Sequence, residues 1–494
     1  MRTVAHNTLF LTGASLIQKA LSFIYFTILA RTFSSSEIGA YSYALAFTTL
    51  FAVIVDGGLT PVLIRHVSTY PNDVAALLRK ILISKSALFL AALAAMVLTV
   101  SVNTAAQSVA PLIAVAALVM IVDSLNLSVY GVLRGCQNLV YESVGMIVAQ
   151  TVSLASVIGV VMFELPILFA ICGLGMGSVM SSMISWVGLK RVAIAAHASS
   201  RAPIVVDNAL LAREAFPFAL AGVCARGYSY LDLLLIGSFM NFAAAGTYSI
   251  ANKLTFVFQF IPLALTAALY PAFSKEVASN HAAVRSLWLS AQRYLLCALG
   301  FIVLILISLR VEILSFFGTE HMSATATLSI LAVSLIFAFM SYPVGSLLNA
   351  SGLQRLQTGA MAAAFALNAT TNIVLIPLLG SVGAASSALA GNFFLFFIGA
   401  WFAQRRVCSL PWINAAHSAI IFLVSACVGG VAIFVSRAYF FEFASLAPQR
   451  GAVEQLLAIG TLSIVGALAY AAAVFLLRGI HVSEIRSFVT RLRS

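Results

Sequence analysis

Six ionisable residues stand inside long apolar runs of this sequence: Lys19, Asp56, Asp123, Arg226, Asp232 and Lys253. A charge near the centre of a bilayer costs about 2.5–3.5 kcal/mol on insertion scales, so each needs a partner or a task. Three of the six are cations. Lys19, Arg226 and Lys253 together would hold an anion, because arginine offers a planar fork of donors that suits phosphate and lysine offers a point charge. The carboxylates Asp56, Asp123 and Asp232 are candidates for ion coupling or gating. Pairing between helices is the favoured reading for Asp123 and Asp232. Asp56 is followed by Gly57 and Gly58, a pattern that suggests a broken helix, so a hinge or packing role is favoured there. Asn368 and Asn372 lie four residues apart on one helix face, as interhelical glue or as the polar lining of a cavity.

Other chemistry leaves no trace. The sequence has no G-x-x-x-x-G-K-[ST] loop, so ATP is not expected as the direct energy source. It has no H-E-x-x-H or C-x-x-C metal pattern and no nucleophile paired with a base, so neither a metal, a cofactor nor an enzymatic reaction is expected. The six cysteines (Cys136, Cys172, Cys224, Cys297, Cys408 and Cys427) are scattered and read as small buried hydrophobes.

The elements that position the charges must be membrane helices. Of 494 residues, 62% are hydrophobic and 9% charged, against roughly 25% charged in soluble domains. Too few charges remain to coat a soluble surface. Fourteen apolar runs are long enough to span, at about 8–30, 39–64, 82–101, 109–133, 143–163, 166–189, 215–239, 246–272, 294–310, 326–348, 358–378, 383–403, 414–436 and 454–477. The first run is too long for a signal peptide and no small-x-small cleavage site follows it. The net charge of +12 arises from short basic loops, and no nucleic-acid motif accompanies it. With the N-terminus in the cytoplasm, 20 of the 27 Lys and Arg fall on cytoplasmic ends or loops. Both termini are then expected in the cytoplasm, with an interfacial basic helix over 481–493. Helix breakers occur in span 2 (Gly57, Gly58, Pro61), span 8 (Pro262, Pro271) and span 10 (Pro343).

An internal repeat orders the spans. Gly39-Ala-Tyr-Ser-Tyr-Ala44 opens the second span and Gly246-Thr-Tyr-Ser-Ile-Ala251 opens the eighth, an offset of 207 that also aligns Lys19 with Arg226. Gly135-Cys-Gln137 and Gly352-Leu-Gln354 repeat at 217, a difference that a longer loop around 276–293 would absorb. Six spans per repeat give both copies one orientation, hence two parallel lobes. The expected organisation is an N-lobe over 1–193 (spans 1–6), a cytoplasmic linker over 194–212, a C-lobe over 213–406 (spans 7–12), and spans 13–14 with a basic tail over 407–494.

Four stretches carry a family resemblance: Gly39–Ala44 running to Asp56-Gly-Gly-Leu59 and Arg65-His-Val-Ser68; Gly246–Leu254 running to Ile261-Pro262 and Tyr270-Pro-Ala-Phe-Ser274; Leu348-Asn-Ala-Ser-Gly352; and Asn368 through Asn372 to Ile376-Pro377, Gly380 and Gly383-Ala-Ala385. In their order and spacing the chain resembles the multidrug/oligosaccharidyl-lipid/polysaccharide exporter superfamily, in its polysaccharide branch of Wzx-type flippases. The resemblance implies an all-α polytopic fold of two six-helix lobes around a central cavity, with two further C-terminal helices, working by alternating access. It implies an undecaprenyl-diphosphate-linked oligosaccharide as substrate, a bacterial inner-membrane location, lipids and a polysaccharide polymerase machinery as partners, and a cavity faced by Lys19, Arg226 and Lys253. Two alternatives within the superfamily stay open, a lipid II flippase and an H⁺- or Na⁺-coupled multidrug antiporter. A membrane polymerase or ligase would need a sizeable outer loop, and the longest here is 437–453.

Overall fold

In lipid a backbone must satisfy its own polar groups, which leaves helices as the natural answer for a chain this apolar. The computed structural model describes residues 2–69, 74–196, 208–444, 452–477 and 479, and among them every regular element is a helix. In chain order these are α1 (Arg2–Thr32), α2 (Ser35–Asp56), α3 (Leu59–Thr69), α4 (Val74–Val102), α5 (Thr104–Ser108), α6 (Ala110–Gly135), α7 (Val140–Met162), α8 (Leu168–Ala196) and α9 (Asn208–Phe239). There follow α10 (Phe242–Phe256), α11 (Phe260–Glu276), α12 (His281–Ser308), α13 (Arg310–Phe317), α14 (Thr325–Ala350), α15 (Gln354–Leu379), α16 (Ser381–Arg406), α17 (Trp412–Ala444) and α18 (Ala452–Leu476). Among the described residues fourteen stretches are long and apolar enough to cross a membrane, and each overlaps one of the runs read from the sequence. The expected basic tail helix and most of the expected linker, 197–207, lie outside the described residues.

The second span of each repeat is broken. Helix α2 ends at Asp56 in a left-handed Gly57 (φ 52°), and Gly58 follows at φ 73° before α3 begins. Gly58 also lies flat against α9: a Cβ there would overlap the carbonyl oxygen of Ala215 and sit 2.6 Å from the nitrogen of Ala219. Those residues flank Pro217, inside α9, whose ring removes the helical hydrogen bond to the turn before it. The sequence reading did not single out Pro217. In the second repeat the break is a 3₁₀ turn, Val257–Gln259, with Pro262 and Pro271 in the helix beyond.

The helix ends refine the repeat. Ser35 and Phe242 begin α2 and α10, and Val74 and His281 begin α4 and α12, both at an offset of 207. Ala110 and Thr325 begin α6 and α14, at 215. The extra eight residues therefore lie in α13 and the 3₁₀ turn Thr319–Ala324, not around 276–293, where α11 and α12 are joined by only a few residues. The turns after α6 and α14 match at 215 as well. Gln137 (φ 56°) and Gly352 (φ 75°) occupy the same left-handed position. The Asn138 N–H donates to the Leu133 carbonyl at 2.8 Å, and Leu353 to Leu348 at 2.9 Å. The Gly-x-Gln echo at 217 matched letters, while the turn geometry sits two residues away.

The helices pack into two units. One comprises residues 1–249 with 372–380, the other 250–371 with 381–494. In the first, α8 packs on α6 and α7, α1 on α7, and α2 along α9. Tyr25, Leu29, Tyr43, Phe47, Met120 and Ile171 are among its buried residues. In the second, α14 packs on α16, and α17 and α18 pack on α12. There the Tyr470 hydroxyl donates to the Cys297 carbonyl at 2.7 Å, and Arg437 pairs with Glu312 at 2.9 Å. The six cysteines are free thiols.

Candidate functional site

Two helical hairpins, α1–α2 and α9–α10, position most of the candidate residues. Their connections are capped alike. The Ser34 side chain accepts from the Glu37 N–H, and Glu37 returns a bond to the Ser34 N–H. At the equivalent position Asn241 accepts from the Ala244 N–H at 2.8 Å. These caps satisfy backbone donors that a helix start leaves open, so both hairpins turn at a defined residue. Lys19 then falls thirteen residues before the end of α1, and Arg226 thirteen before the end of α9. At the helical rise both cations sit about 20 Å from their hairpin connections, near mid-bilayer depth. Lys19 is half-buried and Arg226 exposed. Among the described residues neither enters an ion pair or a side-chain hydrogen bond. Lys253 lies in the last turn of α10, half-buried, beside the 3₁₀ break.

Asp232 is built into the second hairpin. Its buried carboxylate accepts from the Tyr248 hydroxyl at 2.9 Å and from the Asn372 side-chain amide at 2.7 Å. Both donors are neutral, and no described cation pairs with it. Asn368, a turn before Asn372 on α15, is also fully buried. The first hairpin answers with different residues. Tyr41 occupies the repeat position of Tyr248, and its hydroxyl donates to Tyr25 at 3.2 Å; Tyr25 in turn donates to the Ala170 carbonyl at 3.1 Å. In each hairpin the tyrosine reaches the residue sixteen positions before it, so Tyr25 and Asp232 are repeat equivalents. The sequence reading identified Asp232 but missed its tyrosine; the repeated G-x-Y-S-x-A motif, combined with that spacing, was the available signal.

The other two carboxylates are differently placed. Asp56 pairs with Lys85 at 2.8 Å, and the Thr60 hydroxyl donates to the same carboxylate. Lys85 is almost fully buried and also donates to Thr60 at 3.1 Å. This lysine was counted with the basic ends in the sequence, because it lies near the start of an apolar run. Asp123 is exposed on α6, with the Ser178 hydroxyl beside it. One helical turn further on, α6 and α8 are joined by a neutral network: Asn126 donates to Ser181 at 3.0 Å and accepts from Ser185 at 2.6 Å, and Tyr130 meets Ser181 at 2.5 Å. Among the described residues no cluster of three or more His, Cys, Asp or Glu could hold a metal ion.

Fourteen apolar helices, repeat-related hairpins and buried ionisable residues define a multi-pass membrane protein with a transporter fold. The fold matches the lipid II flippase MurJ in an inward closed conformation, with a TM-score of 0.69 at 12% identity over 94% of this chain and 98% of that one. It matches an inward-facing multidrug resistance MATE family transporter of the MOP superfamily, with a TM-score of 0.62 at 13% identity over 78% and 94%. A MOP superfamily transporter from Pyrococcus furiosus, described by the reverse polarity of its binding pocket, matches with a TM-score of 0.59 at 13% identity over 81% and 95%. No curated protein matches by sequence. The family described as polysaccharide biosynthesis protein matches residues 4–277, more than half of the chain, and the chain belongs to it.

Proposed function

We propose that this protein moves an undecaprenyl-diphosphate-linked oligosaccharide from the cytoplasmic to the periplasmic leaflet of a bacterial inner membrane by alternating access. The observation that carries the reading is the pair Lys19 and Arg226, two cations at equal depth in repeat-related helices with no anionic partner among the described residues. Lys253 is the third member of the set. Mobile lipid-linked diphosphate is the anion that family membership in polysaccharide biosynthesis suggests. The repeats 1–193 and 213–406 would serve as the two working lobes, both termini would be cytoplasmic, and the flipped product would pass to a polysaccharide polymerase machinery. The likeness to MurJ supports lipid II as a second substrate reading, since lipid II shares the diphosphate.

Asp232 supplies the ion-coupling site in this scheme. A buried carboxylate held only by neutral donors favours a proton or a small cation. A diphosphate with about two negative charges would gain about 5 kcal/mol per 100 mV on moving outward, unless the cationic side chains move with it. Coupling through Asp232 makes up the drive in that second case.

The test is flipping of purified lipid-linked oligosaccharide in proteoliposomes. Lys19→Ala, Arg226→Ala and Lys253→Ala should each impair flipping while the protein inserts normally, and Lys19→Arg should retain more activity than Lys19→Ala. Normal flipping by all three alanine variants would refute the cationic site. Complementation of cells lacking lipid II flipping separates the two substrates, and uptake of a cationic dye into inverted vesicles would instead indicate a multidrug antiporter.

A further inference from the structure

The break between α2 and α3 is built around one buried ammonium. Asp56 is the last residue of α2. A full negative charge therefore stands where the helix already presents the negative end of its dipole and carbonyls without intrahelical partners. Such an end calls for a cation, and Lys85 supplies it from α4. Its Nζ lies 2.8 Å from Asp56 Oδ1 and donates to the Thr60 hydroxyl at 3.1 Å. Thr60, in the first turn of α3, donates to the same Asp56 oxygen. The ammonium thus rests on two oxygens, one from each side of the break. Carboxylate and hydroxyl oxygens are hard ligands that suit a small free cation as well as an ammonium. The Lys85 side chain is 4% exposed and the Asp56 side chain 22%, so only the carboxylate side of the pair keeps contact with the surroundings. Helix α4 is pressed into the break. A Cβ on Gly57 would lie 2.6 Å from Leu88 Cδ1, and Leu88 shares a face of α4 with Lys85. Leu59 and Leu63 of α3 and Ile81 and Leu82 of α4 belong to one apolar cluster there. The second repeat lacks both charges. At the offset of 207 shared by the flanking helix starts, Lys85 aligns with Gln292 and Asp56 with Leu263. Gln292 is as deeply buried as Lys85 but neutral. Where the carboxylate is missing the ammonium is missing too, so the lysine answers the carboxylate rather than a general need of that helix face.

We propose that the Asp56 and Thr60 oxygens at the α2–α3 break form a monovalent-cation site, and that Lys85 occupies it as a tethered cation. The Lys85 ammonium does there what a sodium ion would do, without ever leaving. Taken with the coupling role proposed for Asp232, on which this consequence rests, the first half carries no travelling ion and ion-driven flipping draws on the second half alone. Removing the ammonium then leaves a vacant site for a free cation of the same charge. Sodium fits its oxygen ligands, and methylammonium reproduces the end of the lysine side chain.

The test is thermal unfolding of the purified full-length chain in detergent, with Asp232→Asn present throughout so that no ion effect arises at that carboxylate. With N-methylglucamine as the only buffer cation, Lys85→Ala should lower the unfolding midpoint. Sodium or methylammonium at equal ionic strength, which holds screening constant, should raise it again by about 3 °C or more. The chain with Lys85 intact should not respond, and neither should Asp56→Ala/Lys85→Ala. A Lys85→Ala chain indifferent to both cations overturns the proposal, and so does a response that survives Asp56→Ala. Lys85→Met keeps the volume of the stem and serves the same test where the alanine variant is not recovered from cells. If neither variant is recovered, the monovalent cations of the cell have failed to replace the ammonium and the proposal falls. The midpoints need neither substrate nor Asp232. A parent that flips no lipid-linked oligosaccharide therefore counts against the proposed substrate alone, while the midpoints still decide the cation site.

Discussion

The hairpins α1–α2 and α9–α10 share their caps, their lengths before the turn, their glycine and their tyrosine, yet differ in what the tyrosine holds. In the first it holds Tyr25, a neutral partner. In the second it holds Asp232. The first half does have a half-buried carboxylate near its helix break, but Asp56 is neutralised by the buried Lys85. One architecture thus carries a satisfied charge in one half and a carboxylate with neutral donors only in the other. The repeat copied the frame, and divergence at single positions distributed the charges, so the proposed coupling role is placed in the second half.

The comparison breaks most severely at Lys85. Lys85→Ala would leave Asp56 with Thr60 alone and turn it into an uncompensated carboxylate. Removing one partner of a buried pair costs about 3–5 kcal/mol, to be read as a lower unfolding midpoint in detergent. The double variant Asp56→Ala/Lys85→Ala should recover much of that loss. Equal loss in single and double variants would show that packing of the lysine stem, rather than the pair, matters.

Asp232→Asn removes the charge and sharpens the difference in function. Ion-driven flipping should fall by up to about 150-fold, the upper range for a coupling interaction, while insertion is unchanged. Flipping that follows an imposed potential with no pH or sodium gradient, and is indifferent to Asp232→Asn, would remove the coupling role. The smallest contrast lies in the tyrosines. Tyr248→Phe deletes a hydrogen bond to a carboxylate, worth about 1.5–3 kcal/mol, and Tyr41→Phe deletes one between neutral groups, worth about 0.5–1.5 kcal/mol. Similar shifts in thermal stability for the two would indicate that Asp232 is protonated in the resting protein.

Much of the fold was legible because lipid imposes a strong and simple code. Apolar length fixed the number of spans, and Gly57-Gly58 marked the break after Asp56. The repeat motif aligned Lys19 with Arg226 at a relation that the helix ends reproduce. Other features were opaque for definite reasons. Lys85 looked like a basic flank, since burial of a lysine depends on a carboxylate twenty-nine residues away in the chain. The position of the eight-residue insertion was misplaced because short sequence echoes recur by chance, while a helix cap recurs only where the backbone needs it.

The sequence by itself determined that this is a helical membrane protein of fourteen spans with two related halves, because hydropathy and motif spacing act locally along the chain. Only the tertiary structure decided which charges are partnered and why the repeated glycines exist. Asp56 meets Lys85, Asp232 meets Tyr248 and Asn372, and Gly39 meets Gly246. Each is a contact between helices, fixed by how close their backbones pack, and no local pattern encodes that distance.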